Sequence, residues 1–151
     1  MKRILILILA VAFSLVACTP KTGLEIREPW ARPAAQGENS AVYFMIQNHS
    51  SQTHDMVGAA SDIAQAVEIH ESMMSGDVKQ IHQLHAVSVE PDTEVKLRPG
   101  GLHIMLIGLK KELKVGDEFE ITLHFTNFED INVTVPVSDM PVSGEDSAPD
   151  H

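Results

Sequence analysis

The sequence has one cysteine, Cys18, so no intrachain disulfide can form. It is also poor in cations, with 11 Lys and Arg against 21 Asp and Glu. Binding to nucleic acid depends on neutralising phosphates with Lys and Arg, so this balance argues against a nucleic-acid partner. No long stretch carries helical periodicity. The longest uncharged, mostly apolar run, Ile4 to Val16, has 13 residues, short of the roughly 20 that a membrane span needs. Catalytic signatures are missing too. There is no Gly-x-Ser-x-Gly elbow and no His-Glu-x-x-His pair, and the expectation is a protein that is not an enzyme.

What is present begins with a processing signal. Lys2 and Arg3 precede the apolar run, the layout of a secretory signal peptide over residues 1–17. Leu15-Val16-Ala17-Cys18 resembles the bacterial lipobox, which is cut before a cysteine that then carries lipid. A lone thiol in an oxidising compartment is a liability, and acylation accounts for it. Cys18 is therefore read as the lipidation site and not as a metal ligand. Cleavage leaves 134 residues and takes the formal charge from −10 to −12. The reading is an extracytoplasmic lipoprotein held to the membrane by its anchor, in the periplasm or on the outer face of the membrane. Thr19 is not the aspartate linked to inner-membrane retention, so the outer membrane suits a two-membrane cell.

Residues 18–23 read as a lipidated tether and 138–151 as a disordered acidic tail, rich in Pro, Ser and acids. Between them, residues 24–137 read as one β domain. Strands are expected at Leu24–Glu28, Ala41–Gln47, Val67–Glu71, Val87–Glu90, Val95–Leu97, Leu102–Leu106, Phe119–Thr126 and Ile131–Val137. Asp55–Ala59 and Val78–Leu84 are less sharply patterned. Alternation is plainest in Glu120-Ile121-Thr122-Leu123-His124-Phe125. Turn residues separate the runs, as in Ser75-Gly76-Asp77 and Arg98-Pro99-Gly100-Gly101. Only Ser61–Ala66 suits a turn or two of helix. Many short strands at this spacing predict an all-β antiparallel sandwich or Greek-key barrel.

Eight histidines and six methionines after the initiator supply the candidate chemistry. Residues two apart on a strand share a face. In Leu102-His103-Ile104-Met105-Leu106 the three aliphatics take one side, and His103 and Met105 take the other. The same rule puts Glu68 and His70 opposite Val67 and Ile69. Met73 and Met74 fall where that strand should give way to the Ser75-Gly76-Asp77 turn. Ile81-His82-Gln83-Leu84-His85 is a third group. Taken singly, His70 or His103 reads as a surface histidine and Met105 as core filler. Together, imidazole and thioether without thiolate suit Cu(I). Met45 and Met56 read as core, and His49, His54, His124 and His151 as surface or tail residues.

The chain resembles the periplasmic copper chaperones called PCu(A)C. The resemblance runs through Trp30-Ala31-Arg32-Pro33, Asn39-Ser40-Ala41-Val42-Tyr43-Phe44, Val67-Glu68-Ile69-His70-Glu71 and, most specifically, Leu97-Arg98-Pro99-Gly100-Gly101-Leu102-His103-Ile104-Met105-Leu106. It implies a cupredoxin-like fold and Cu(I) held by a His, a Met and a His-x-Met pair. It also implies delivery of copper to the CuA centre of cytochrome c oxidase or to another copper chaperone. Carried over, the ligands are His70, His103 and Met105. The family's other methionine falls at position 81 counted from either histidine, and position 81 is isoleucine here. Met74 and Met73 are the expected substitutes, ahead of His82 and His85. The competing expectation is a β-sandwich lipoprotein with weakened or lost copper binding, serving as an assembly or adhesion module.

Overall fold

The computed structural model describes residues 23–140. The signal peptide, Cys18, nearly all of the tether and most of the acidic tail lie outside the described residues. Ten strands make up the described chain: β1 Leu24–Ala31, β2 Ser40–Asn48, β3 His54–Ala60, β4 Ala64–Ser75, β5 Val78–Leu84, β6 Val87–Val89, β7 Glu94–Leu97, β8 Leu102–Leu109, β9 Glu118–Thr126 and β10 Ile131–Pro136. They form two antiparallel sheets. One has the order β1-β2-β8-β4-β5 with β7 also on β2, and the other has β10-β9-β3-β6. The expected all-β sandwich is what folds.

Alternation decides which residues fill the space between the sheets. Val42, Phe44 and Ile46 of β2, Ile104 and Leu106 of β8, and Ile121 and Leu123 of β9 are each at most 1% exposed. Burying such side chains is the main favourable term in holding two sheets together, at about 1.5–3 kcal/mol each. Met56 joins this core as expected. Met45 does not: it sits on the outward-facing row of β2, Cα-paired with Arg27 and Lys96. The inward positions on either side of it are taken by Phe44 and Ile46. His54, expected at the surface, is 4% exposed. It opens β3 on the core side, edge-on to Phe128 at 5.0 Å between centroids.

Ser61–Ala66 makes no helix. The chain turns at Ser61–Ile63 and is already strand at Ala64, paired with Leu109. Pairing along β8 overrides the weak local helical preference of an Ala-containing stretch. Both strands are longer than expected for this reason: β4 runs 12 residues without a register shift. Gly108 ends the regular part of β8 with φ +63, and a Cβ there would lie 2.9 Å from Gln65 Cδ.

Two irregularities shape the outer face of the larger sheet. The β1–β2 register shifts between Arg27 and Trp30, where Glu28 adopts φ 51 before Pro29. One extra residue flips the side-chain parity beyond it, which brings Trp30 opposite Tyr43 on the outside. At the far end, Ser75 pairs with Val78 across Gly76-Asp77. Gly76 has φ +62, the positive φ that a two-residue turn with Gly first requires. The β4–β5 hairpin therefore closes tightly, and β5 is an edge strand.

Candidate metal centre

The site residues lie on the outer face of the larger sheet. Register brings them there: on adjacent strands His70 is Cα-paired with His103, and Met105 with Glu68. Their rings stand edge to face with centroids 5.9 Å apart. On the other side of β8, Met105 pairs with Ala41. The Arg98–Gly101 turn overhangs them, tied down by Ser72 N–H donating to the Gly101 carbonyl at 3.0 Å.

The hydrogen bonds fix which nitrogen each imidazole leaves available. A carbonyl or carboxylate oxygen carries no proton to give, so the ring nitrogen must donate. His103 Nδ1–H donates to the Gly101 carbonyl at 3.0 Å, which leaves Nε2 with its lone pair. His70 Nε2–H donates to Glu68 Oε2 at 2.8 Å, which leaves Nδ1. That Nδ1 is buried and has no hydrogen-bond partner among the described residues. Orphaned buried acceptors carry a desolvation cost, and a ligand removes it. A second ring nitrogen, His54 Nδ1, is orphaned in the same way, but on the opposite sheet beside Phe128. The surroundings of His103 favour its neutral form. Its pKa is lowered from 6.5, first by burial, with the Gly101 bond opposing and the nearby His70 and Lys79 adding to the drop. A neutral ring with a free lone pair is the form that binds metal.

Beside His103 and Met105 is a cleft of about 280 Å³ whose walls also include Tyr43, Ser72, Ile81 and Pro99. Tyr43 closes one side. Its ring lies 4.7 Å from Trp30 and 6.3 Å from His103, with the Arg32 guanidinium 5.8 Å away over its face. Burial pushes the Tyr43 phenol upward from 10.0, with Arg32 pulling the other way.

The other expected residues fall in different places. Ile81 is Cα-paired with Ser72, so it shares the face of His70, one step along. The position next to the site is thus held by a hydrocarbon. Met74 is also on that face, paired with Lys79, whereas Met73 pairs with Gln80 on the reverse face. Neither folds back. β4 stays extended through Ser75, and four residues of strand put Met74 about 13 Å beyond His70 along the chain. Both methionines are solvent-exposed. His82 pairs with Glu71 on the reverse face, and His85 lies beyond the end of β5. His49 and His124 are engaged with Glu25 and Asp130. Sequence reading singled out no role for Tyr43 or Lys79. The alternation on β2 and β5 places both on the outer face, but only register shows that face to be the site.

Residues 24–137 match the family described as "Putative lipoprotein LpqE-like". A protein of Leifsonia xyli subsp. xyli, "Putative lipoprotein Lxx21020", is 30% identical over 124 residues, 82% of this chain and 74% of its own. Among solved structures, the solution structure of CuI-DR1885 from Deinococcus radiodurans aligns with a TM-score of 0.59 and 28% identity, covering 79% of this chain and 83% of that one. The copper-bound PCuAC domain from PmoF2 aligns with a TM-score of 0.65 at 24% identity, covering 76% and 91%, a likeness of fold. With the match running the length of the β domain, this chain belongs to the LpqE-like family, of PCuAC type and cupredoxin-like in fold.

Proposed function

We propose that this chain carries Cu(I) as cargo in the cell envelope, anchored through Cys18, and passes it to a partner by ligand exchange. His70 Nδ1, His103 Nε2 and the Met105 thioether are the three donors. The observation that carries this reading is the pair of fixed tautomers. Two facing imidazoles each have one nitrogen tied to the protein and the other left open, and one of those open nitrogens is buried and orphaned. Soft thioether and imidazole donors in low number suit Cu(I), where zinc more often recruits Cys, carboxylate or several His. The likeness to the Cu(I) form of the Deinococcus radiodurans protein supports the choice of ion.

Transfer needs a site that can be opened from one side. The cleft provides that opening, and Ile81 leaves the position beside the donors without a fourth ligand. Met74 and, behind it, Met73 sit exposed at the hairpin tip, placed to take part in exchange and not in the resting site. The recipient, on this reading, is the CuA-bearing subunit of cytochrome c oxidase or another copper chaperone. No catalysis is assigned to the chain.

Competitive titration of the full-length chain with Cu(I) and Zn(II) tests the proposal. Preference for Cu(I), lost in His103→Ala, is expected. Equal weak binding of both ions, unchanged by that substitution, refutes it. Ile81 favours a second reading, a scaffold whose copper binding has lapsed. Under that reading added Cu(I) leaves the unfolding midpoint unmoved.

A further inference from the structure

We propose that the cleft beside His103 and Met105 binds a small thiol bearing a negative charge, its sulfur closing the coordination sphere of the copper cargo and its anionic group meeting Lys79 and Arg32. The inference rests on the Cu(I) reading above and names the ligand that completes that site.

The donor set comes first. On the Cu(I) reading His70, His103 and Met105 supply three donors, and two of them, His103 and Met105, line the cleft, where Ile81 presents only carbon. Among the described residues that line the cleft, His103 and Met105 are the only soft donors. Met74 is too far along the extended strand to serve. A Cu(I) ion content with three or four soft ligands thus has an open side that solvent species reach, and sulfur is the donor it prefers.

The charge of the cleft is the second point. The chain has a net charge of −10, yet none of the described side chains lining this cleft is acidic, and two are cationic, Arg32 and Lys79. Lys79 is two residues from Ile81 on β5 and so shares the site face. Arg32 is held against the Tyr43 ring. Ser40 and Ser72 add hydroxyls to the wall. A patch of this sign within an acidic molecule selects anions over cations and neutral ligands. The cleft's volume of about 280 Å³ is far more than a single water's share of about 30 Å³, so a ligand of several heavy atoms fits. Soft donor, negative charge and small size together describe an anionic thiol.

The test uses the full-length chain with Cys18→Ser, which removes its own thiol, loaded with one equivalent of Cu(I) without oxygen. Mercaptoacetate is titrated in and species are read by native mass spectrometry. A protein–copper–thiol adduct of 1:1:1 stoichiometry is expected. Ile81→Met, which supplies a thioether in place of the thiol, is expected to abolish it. Lys79→Gln should weaken the thiol about two- to fivefold, the range of an exposed ion pair, and neutral mercaptoethanol should bind more weakly by a similar factor. The proposal is overturned by a binary copper–protein species at every thiol concentration, or by thiol that strips the copper away. An undiminished adduct in Ile81→Met overturns it too, as does equal binding of the neutral thiol. A chain that takes up no copper in any sample, with its unfolding midpoint unmoved, sinks the copper reading itself and this inference with it.

Discussion

Replacing Glu68 with glutamine keeps the shape of the side chain beside His70 but removes the reason for its tautomer. The carboxylate accepts a hydrogen bond of 2.8 Å from Nε2–H, so the proton stays on Nε2 and leaves the buried Nδ1 with its lone pair. An amide can accept or donate, and His70 can then place its proton on either nitrogen. Partners of this kind, one shell removed from a metal, are worth about 10–100-fold in affinity, or about 1.4–2.8 kcal/mol at 1.4 kcal/mol per decade. Cost to the fold should be smaller. Glu68 is 31% exposed and His70 14%, and water screens the pair, so the metal-free protein should lose less than about 1 kcal/mol. Two measurements separate the effects: Cu(I) competition against a chromophoric chelator, and denaturant unfolding without metal. Nitrogen-15 shifts of the His70 ring report the tautomer directly. Affinity within twofold of the parent, with the ring still protonated on Nε2, would refute the claim that Glu68 orients this ligand.

Other outcomes follow from the same structure. Cu(I) free in solution at 100 times its Kd should stabilise the protein by about 2.7 kcal/mol, raising the thermal midpoint by about 10 °C, and a chelator should reverse the gain. Ile104→Ala removes a fully buried side chain between the two sheets and should cost about 2–5 kcal/mol in urea unfolding. Tyr43 is pushed above its ordinary value of 10.0 by burial. Its stabilising contribution is thus fully present below about pH 10 and lost as the pH rises through the raised value. Tyr43→Phe should flatten that alkaline loss when unfolding midpoints are compared at about pH 9 and 11.

Much of the fold was legible because burial in a sandwich imposes period two on each strand. Phe119–Thr126 and Leu102–Leu106 show it without help from the rest of the chain, and both are strands. The misreadings came where a distant partner outweighed the local pattern. Ser61–Ala66 has a weak helical cast, but Ala64 and Ala66 pair with Leu109 and Ile107 of β8. The strand expected over Leu24–Glu28 runs on, because a bulge carries it past Pro29 to Ala31. His54 reads as polar surface from its neighbours and is buried because β3 starts on the inward side. For Met73 and Met74, the Ser75-Gly76-Asp77 signal was a turn as expected, but a two-residue one, so the strand stays straight beneath them.

By itself the sequence determined the β class, the shared face of His103 and Met105, the shared face of Glu68 and His70, and the isoleucine at position 81. Each of these depends only on residue type and on the alternation of a single strand, which is a local property. Tertiary structure decided that the two faces are one face. His70 and His103 are 33 positions apart in the chain, and only the β4–β8 register sets them side by side. A slip of one residue would turn one of them to the core. The β4–β5 register then sets Ile81 beside Ser72 and Lys79 beside Met74 on that face, and both Ile81 and Lys79 line the cleft. The tautomers are set locally, since the Glu68 carboxylate and the Gly101 carbonyl that choose between ring nitrogens each lie two residues from the histidine they hold.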